Sequence, residues 1–248
     1  MEAPAGTAAR SVRVLDLDPD LAVALAPDEF ERARTTLVAR AYEAAQGPWK
    51  IRQPATDPGA LGLLVMDGAF GLHTAVGSRT TLELLGRGDV LQPWVTLGPE
   101  TSVPPTVSWE VVATARVVLL DAAFARAAAE WPEVIATLMR RQVARCRRLC
   151  YQLAVNTSPR VDERIVFALW ALADRWGHVT EAGTTFRLRL THRHIAELVC
   201  AQRPSVSAAL TRLRDEGRVS YSRDTFVLHG EVPGEVRALR TDVGIDPD

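Results

Sequence analysis

The chain has 248 residues, of which 47% are hydrophobic and 24% charged, with a mean hydropathy of 0.00. That is long enough for two domains with ordinary cores, and it excludes a disordered or collagen-like chain. No run approaches 18 apolar residues, which excludes a transmembrane helix, and three cysteines (Cys146, Cys150 and Cys200) argue against a disulfide framework and fit a reducing cytoplasm.

The N-terminal MEAPAGTAARS has no apolar core of a signal peptide, so a cytoplasmic protein is expected. The net charge of −1 conceals an asymmetry. Residues 1–139 hold 11 basic against 17 acidic side chains, a balance of −6, whereas residues 140–230 hold 16 against 8, a balance of +8. The remaining 18 residues, 231–248, form an acidic tail. A basic module joined to an acidic one is what a nucleic-acid binder with a separate sensing domain shows.

In chain order, residues 1–10 read as a frayed Ala-rich end and Val12 to Leu17 as a short extended run. Pro19 to Ala26 and Pro27 to Ala45 read as helices opened by proline, the second stopped by Gly47-Pro48. From Trp49 to Leu120 short apolar runs alternate with Gly, Pro, Asp and Thr. Strands are expected at Gly62–Met66, Ala69–Ala75, Thr80–Leu85, Val90–Val95, Thr106–Ala113 and Arg116–Leu120. Asp67-Gly68, Gly77-Ser78 and Gly88-Asp89 are the expected turns. Short strands at this spacing predict a β-sandwich, barrel or roll.

Trp131-Pro132 opens a long helix. Val134 or Ile135, Leu138, Val143 or Cys146, Leu149 or Cys150, and Leu153 repeat at near-heptad spacing, with arginines on the intervening faces. Cys146 and Cys150 lie four residues apart on one face. Two thiolates from each of two protomers could hold a metal there; more often such cysteines are small core residues, which is the reading taken for both. No metal site is assigned. Asn156 to Pro159 reads as a hinge, residues 161–177 as a helix with Ile165, Leu169, Leu172 and Trp176 inward, and Thr185 to Leu190 as a strand.

The segment Leu190 to His229 then reads as two short helices, a tight turn and a β-hairpin. Thr191 suits an N-cap, because its hydroxyl accepts from a free amide of the next turn. Ile195, Leu198 and Val199 recur at helical spacing, and the pattern breaks at Cys200-Ala201. Arg203-Pro204 opens the second helix, in which Val206, Ala209, Leu210 and Leu213 share one face. Arg203, Ser205, Ser207, Ala208, Thr211 and Arg212 fall largely on the other. Gly217 ends the helix, and Arg218–Tyr221 pairs with Thr225–Leu228 around Ser222-Arg223-Asp224.

This is a winged helix-turn-helix pattern, and its second helix carries the case for DNA. A helix entering the major groove needs short residues at the base edges and a long bidentate donor for guanine. Arg203 sits where such a donor points, and Arg212, Arg214 and the wing-tip Arg223 suit phosphates. The candidate DNA-contacting set is Thr191, His192, Gln202, Arg203, Pro204, Ser205, Ser207, Ala208, Thr211, Arg212 and Arg223. The competing reading is a winged domain that only packs against protein.

The segment resembles the C-terminal domain of the Crp/Fnr family of bacterial transcription regulators. The residues that carry the likeness are Thr191, Ile195-Ala196, Arg203, Ser205-Val206-Ser207 and Leu210. Two positions depart: the glutamate that often follows the arginine is Pro204, and the second arginine five residues on is Ala208. The resemblance carries a DNA-reading role to Arg203 but not the family's commonest target sequence. Upstream, Gly88-Asp89 and the closing VVATARVVLLD are similar to that family's cyclic-nucleotide-binding β-roll, and the 131–156 helix is similar to its dimerisation helix.

The resemblance thins at the effector site. Cyclic-nucleotide binders carry Gly-Glu for the ribose and Arg-[ST] for the phosphate. Here Val90-Leu91-Gln92-Pro93-Trp94 follows Gly88-Asp89, and Pro104 to Glu110 holds no arginine. A buried phosphate without its cation loses a charge-assisted hydrogen bond, so cyclic AMP is not expected to bind in the usual manner. Arg79, Glu83, Trp94, Trp109 and Glu110 are the candidates for lining a different pocket, with both tryptophans as plain core the alternative. His73 stands alone in the roll and reads as structural rather than as a haem ligand.

The expected architecture is thus α+β: a β-roll sensor-like domain (1–130), a dimerisation helix (131–156), a winged helix-turn-helix (157–230) and the acidic tail. No phosphate-cradling loop, HExxH or GxSxG is present, so no enzyme activity and no cofactor are expected. The expected partners are double-stranded DNA and a second copy of the chain, with RNA polymerase and a small-molecule effector as further candidates and no membrane. The alternative is a sensing or scaffolding protein whose winged domain contacts protein.

Overall fold

In a computed structural model, residues 10–50, 59–95 and 102–231 are described. The expected frayed N-terminus and the acidic tail beyond residue 231 lie outside them. The chain divides into two compact units, Met1–Cys150 and Tyr151–Asp248. Among the described residues no helix is long and apolar enough to cross a membrane.

The first unit is built on a seven-stranded antiparallel sheet. Strands β1 (Arg10–Arg13), β2 (Val38–Ala44), β7 (Thr106–Leu120), β4 (Gly62–Val76) and β5 (Arg79–Gly86) lie side by side in that order. β3 (Gly47–Trp49) also pairs with β7, and β6 (Val90–Leu91) with β4. Because side chains alternate along a strand, the sheet carries two cores. One face packs Ala39, Ala41, Met66 and Val118 against Val14, Leu21, Leu37, Phe124, Trp131, Val134 and Leu138 from the helices. The other encloses Tyr42, Trp49, Phe70, Leu85, Leu91, Val111 and Val117 inside the roll. Each fully buried side chain of this size contributes about 1.5–3 kcal/mol.

Several elements differ from the sequence reading, each for a local reason. The run at Val12–Leu17 is the end of β1 followed by a one-turn helix α1 (Val14–Leu17), which buries Val14 and Leu15. Pro19–Ala26 holds only a 3-10 turn, Pro19–Ala22. The expected helix Pro27–Ala45 is a helix α2 (Pro27–Thr36) and then strand β2. Alanines favour helix, yet Ala39, Ala41 and Ala44 bury against β7, and sheet pairing overrides weak local preference. Gly47, at φ 131°, opens β3 rather than ending a helix.

The two expected strands before Gly77 are one long strand, β4. Asp67-Gly68 is a bulge within it, not a turn, with the pairing to β7 shifting on either side. Gly68 has φ 85°, and a Cβ there would meet the Thr114 carbonyl oxygen at 2.4 Å. Its partner β7 is likewise continuous where two strands were expected. The expected strand Val90–Val95 shortens to Val90–Leu91, with Pro93 following. An unexpected helix α3 (Ala122–Ala128) is capped by Asp121, whose carboxylate accepts from the Phe124 amide at 3.0 Å.

The long helix α4 runs Pro132–Asn156. The second unit contains α5 (Val161–Trp176), α6 (His192–Leu198) and α7 (Arg203–Asp215). Its four-stranded sheet has the order β10 (Val219–Tyr221), β11 (Thr225–Leu228), β9 (Gly183–Arg187), β8 (Gly177–Thr180). The wing hairpin is therefore extended by a second hairpin. The expected strand Thr185–Leu190 begins two residues earlier and ends at Arg187, and β8 had no alternating apolar signal.

Candidate nucleic-acid interface

The second unit holds α6 and α7 in place through their ends. The Thr191 hydroxyl accepts from the His194 amide at 3.1 Å, and the His194 ring accepts from the Thr191 amide at 3.3 Å. This is a capping box with histidine where glutamate usually stands. At the other end, the Leu198 carbonyl accepts from Gln152 and Asn156, and Arg164 donates to the carbonyls of Val199 and Cys200. The carbonyls that a helix end leaves open are thus satisfied. Cys200 takes φ 49°, a left-handed turn that sends the chain into α7.

Along α7, Val206, Ala209, Leu210 and Leu213 are buried, and Pro204 sits in the first turn. This burial forces the opposite face outward. Gln202, Arg203, Pro204, Ser205, Ala208, Thr211 and Arg212 are exposed, as is Arg223 at the tip of the wing. Neither Arg203 nor Arg223 has an ion-pair partner among the described residues. Ser207 is half-buried and used internally. Its hydroxyl donates to the Arg203 carbonyl at 3.1 Å and lies 2.8 Å from Nδ1 of His192. Thr211 donates to the Ser207 carbonyl at 3.1 Å.

The His192 ring also meets Tyr221 edge-on at 6.1 Å; Tyr221 stacks on Phe226 at 5.9 Å, and Phe226 on Phe186 at 5.2 Å. An aromatic row therefore ties the start of α6 to the wing. Of the eleven residues expected to face DNA, nine are exposed, while His192 and Ser207 are partly covered and bonded to each other. Tyr221, which the sequence placed only in the wing strand, is the link between His192 and the wing.

The five expected pocket residues in the first unit do not converge. Trp109 packs at 6.2 Å from Trp49, and both Trp94 and Trp109 rest against the core inside the roll. Glu110, the next residue of β7, faces the other way and lies 3.3 Å from His73. Arg79 is exposed at the β4–β5 hairpin. Glu83 shares the Trp109 face, since Leu72 of β4 pairs with both. Trp109 and Glu83 therefore share one face, Glu110 is turned to the other because adjacent strand positions alternate, and Arg79 stands apart at the exposed hairpin. A cavity of about 510 Å³ lies elsewhere, lined by Arg10, Arg13, Asp16, Tyr42, Glu43 and Arg116, and contains none of the five.

Glu83 is engaged by an arginine the sequence reading did not single out. Arg145 of α4 holds it with two hydrogen bonds of 2.7 Å, which raise the guanidinium pKa above its ordinary value. Arg141 holds Asp18 at 2.5 and 3.0 Å, and Arg148 pairs with Asp89. Three arginines at spacings of four and three thus fasten one face of α4 to the roll. The signal in the sequence was their spacing, but the acids they meet are 59 to 123 residues away.

Residues 163–230 match the model of the Crp-like helix-turn-helix domain. No curated protein matches the chain. Among solved structures, a mutant of CooA from Carboxydothermus hydrogenoformans superposes with a TM-score of 0.59 at 16% identity, over 81% of this chain and 87% of that one. FixK2 from Bradyrhizobium japonicum gives 0.58 at 17%, over 85% and 99%. A transcriptional regulator of the CRP family from Thermus thermophilus, TTHB099, gives 0.55 at 20%, over 83% and 98%. The chain carries a Crp-like helix-turn-helix domain and shares the α+β fold of the Crp/Fnr regulators.

Proposed function

We propose that this protein is a transcription regulator that binds a pseudo-palindromic DNA site as a homodimer. The observation that carries the reading is the outer face of α7, where Arg203, Ser205, Ala208 and Thr211 stand exposed with small side chains beside one unpaired arginine. Such a face enters a major groove without collision, and Arg203 reaches a guanine edge with two donors. Arg212 and the wing-tip Arg223 flank it at positions suited to phosphates.

The dimer reading rests on α4. Val134 and Leu138 are buried in the first unit, so they do not belong to an intermolecular seam. The face left open carries Met139 at 60%, Val143 at 50% and Leu153 at 69% exposure, with exposed Cys146 and Cys150 between. Spacings of four, three, four and three are a heptad register. Of the expected repeat this keeps Val143, Cys146, Cys150 and Leu153 and drops Val134 and Leu138. A second copy covers this face by parallel pairing, which sets two α7 helices in successive major grooves, about 34 Å apart.

The test is retention on non-specific duplex DNA across a salt series, followed by selection of bound sites from a random pool. A regulator shows a steep salt slope and yields an inverted repeat. A scaffold whose winged domain contacts protein shows little slope and selects nothing.

A further inference from the structure

We propose that Cys146 and Cys150 form, with the same pair from a second copy, a four-thiolate site for a thiophilic d10 cation, zinc being the type ion, on the dimer axis. The inference rests on the dimer reading above. Both cysteines are free and exposed, and each occupies a seam position of the open heptad on α4. They are consecutive layers of that seam, one helical turn or about 6 Å apart along the axis. In a parallel pair each layer brings like residues together across the two-fold axis, so two adjacent cysteine layers present four sulfurs around one point.

The chemistry favours a metal over plain packing. The layers on either side are Val143 and Leu153, so the thiols lie in a dry stretch of the seam. Two adjacent layers of small side chains would leave a gap in an apolar seam that otherwise uses Met, Val and Leu. A tetrahedral cation with sulfur at about 2.3 Å fills that gap and requires two cysteines from each helix. A single interchain disulfide would require only one. Binding displaces four protons, leaving a tetrathiolate of charge −2. Arg147 lies between the two cysteines in sequence, on the edge of the seam, and is exposed with no ion-pair partner among the described residues. The two copies of Arg147 balance that charge.

The test uses the full-length reduced protein and Co²⁺ as the spectroscopic probe, with the oligomeric state measured by sedimentation on the same metal-free samples. Expected are the intense visible bands of a tetrahedral thiolate, saturating at one Co²⁺ per two chains and displaced by Zn²⁺. Cys146→Ser and Cys150→Ser should each abolish the bands, and Cys200→Ser should leave them unchanged. A dimer that gives no such bands, or bands that persist in Cys146→Ser or vanish in Cys200→Ser, overturns the metal site while leaving the dimer intact. A monomer in sedimentation overturns the dimer reading itself. A covalent dimer on a non-reducing gel that excludes Co²⁺ from protein purified without reductant, and binds none after reduction, overturns the site in favour of a disulfide.

Discussion

Nδ1 of His192, the first residue of α6, lies 2.8 Å from the hydroxyl of Ser207 in the middle of α7. That bond crosses the helix-turn-helix, and the same ring leans on Tyr221 of the wing. His192 thus joins α6, α7 and the wing, the three parts of the proposed DNA-facing surface, without projecting from it. His192→Phe keeps a ring against Tyr221 but removes the nitrogen that bonds Ser207. A hydrogen bond of this kind is worth about 0.5–1.5 kcal/mol. The variant should bind its selected site about 2- to 13-fold more weakly in fluorescence anisotropy, and His192→Asn should recover part of the loss. Unchanged affinity in His192→Phe would make the bond incidental.

Arg203 and Arg223 should fail in different ways. Arg203→Ala should cost about 1–3 kcal/mol at the selected site and relax the preference at one base pair in each half-site. Arg223→Ala should weaken all sequences alike and lower the salt slope by about one. Both are measured against the site and its single-base variants. A uniform loss in Arg203→Ala would make it a phosphate contact.

The open heptad of α4 predicts which substitutions separate protomers. Val143→Asp with Leu153→Asp places carboxylates where exposed apolar residues meet a second copy, and sedimentation should report folded monomers. Leu138→Asp should instead unfold the first unit, because Leu138 is 6% exposed and packs against the core beneath α4. A Val143/Leu153 double variant that still sediments as a dimer would move the interface elsewhere.

The Arg141–Asp18 pair anchors α4 to the segment just before the 3-10 turn. Asp18 is 2% exposed, so Arg141→Leu leaves a buried carboxylate without its cation. Removing one partner of such a pair costs about 3–5 kcal/mol, and the partial exposure of Arg141 points to the lower end. Asp18→Asn, which removes the charge rather than orphaning it, should cost less. Urea midpoints of both variants check the order.

At the start of α5, Arg160 donates to Asp162 at 2.8 Å, and that hydrogen bond holds the carboxyl below its ordinary range. A depressed folded-state pKa gives stability that is present above the unfolded value, about pH 4, and lost as pH falls through the folded value. Asp162→Asn should therefore be less stable than the parent near neutrality and equal to it in strong acid. A stability difference that stays constant across that range would remove the ion pair from the account.

The sequence by itself determined the helix-turn-helix and its wing, though not the β8–β9 hairpin of the second unit. Thr191, the break at Cys200, Pro204 and Gly217 are local signals, and a helix buries neighbours three and four residues away, so the apolar face of α7 was written within a dozen residues. The roll was legible as a class, because alternation and turn residues are also local. Tertiary structure decided what depends on distant partners. β2 is a strand because β7 pairs with it across some 70 residues, against the helical preference of its alanines. Asp67-Gly68 is a bulge because β7 runs straight past it. The face of α4 that stays open was chosen by the roll, which takes Leu138, Arg141, Arg145 and Arg148 and leaves Met139, Val143, Cys146 and Cys150 outside. Heptad spacing alone admits two neighbouring stripes on a helix, and only the packing of one of them against the sheet assigns the other to solvent or to a second copy.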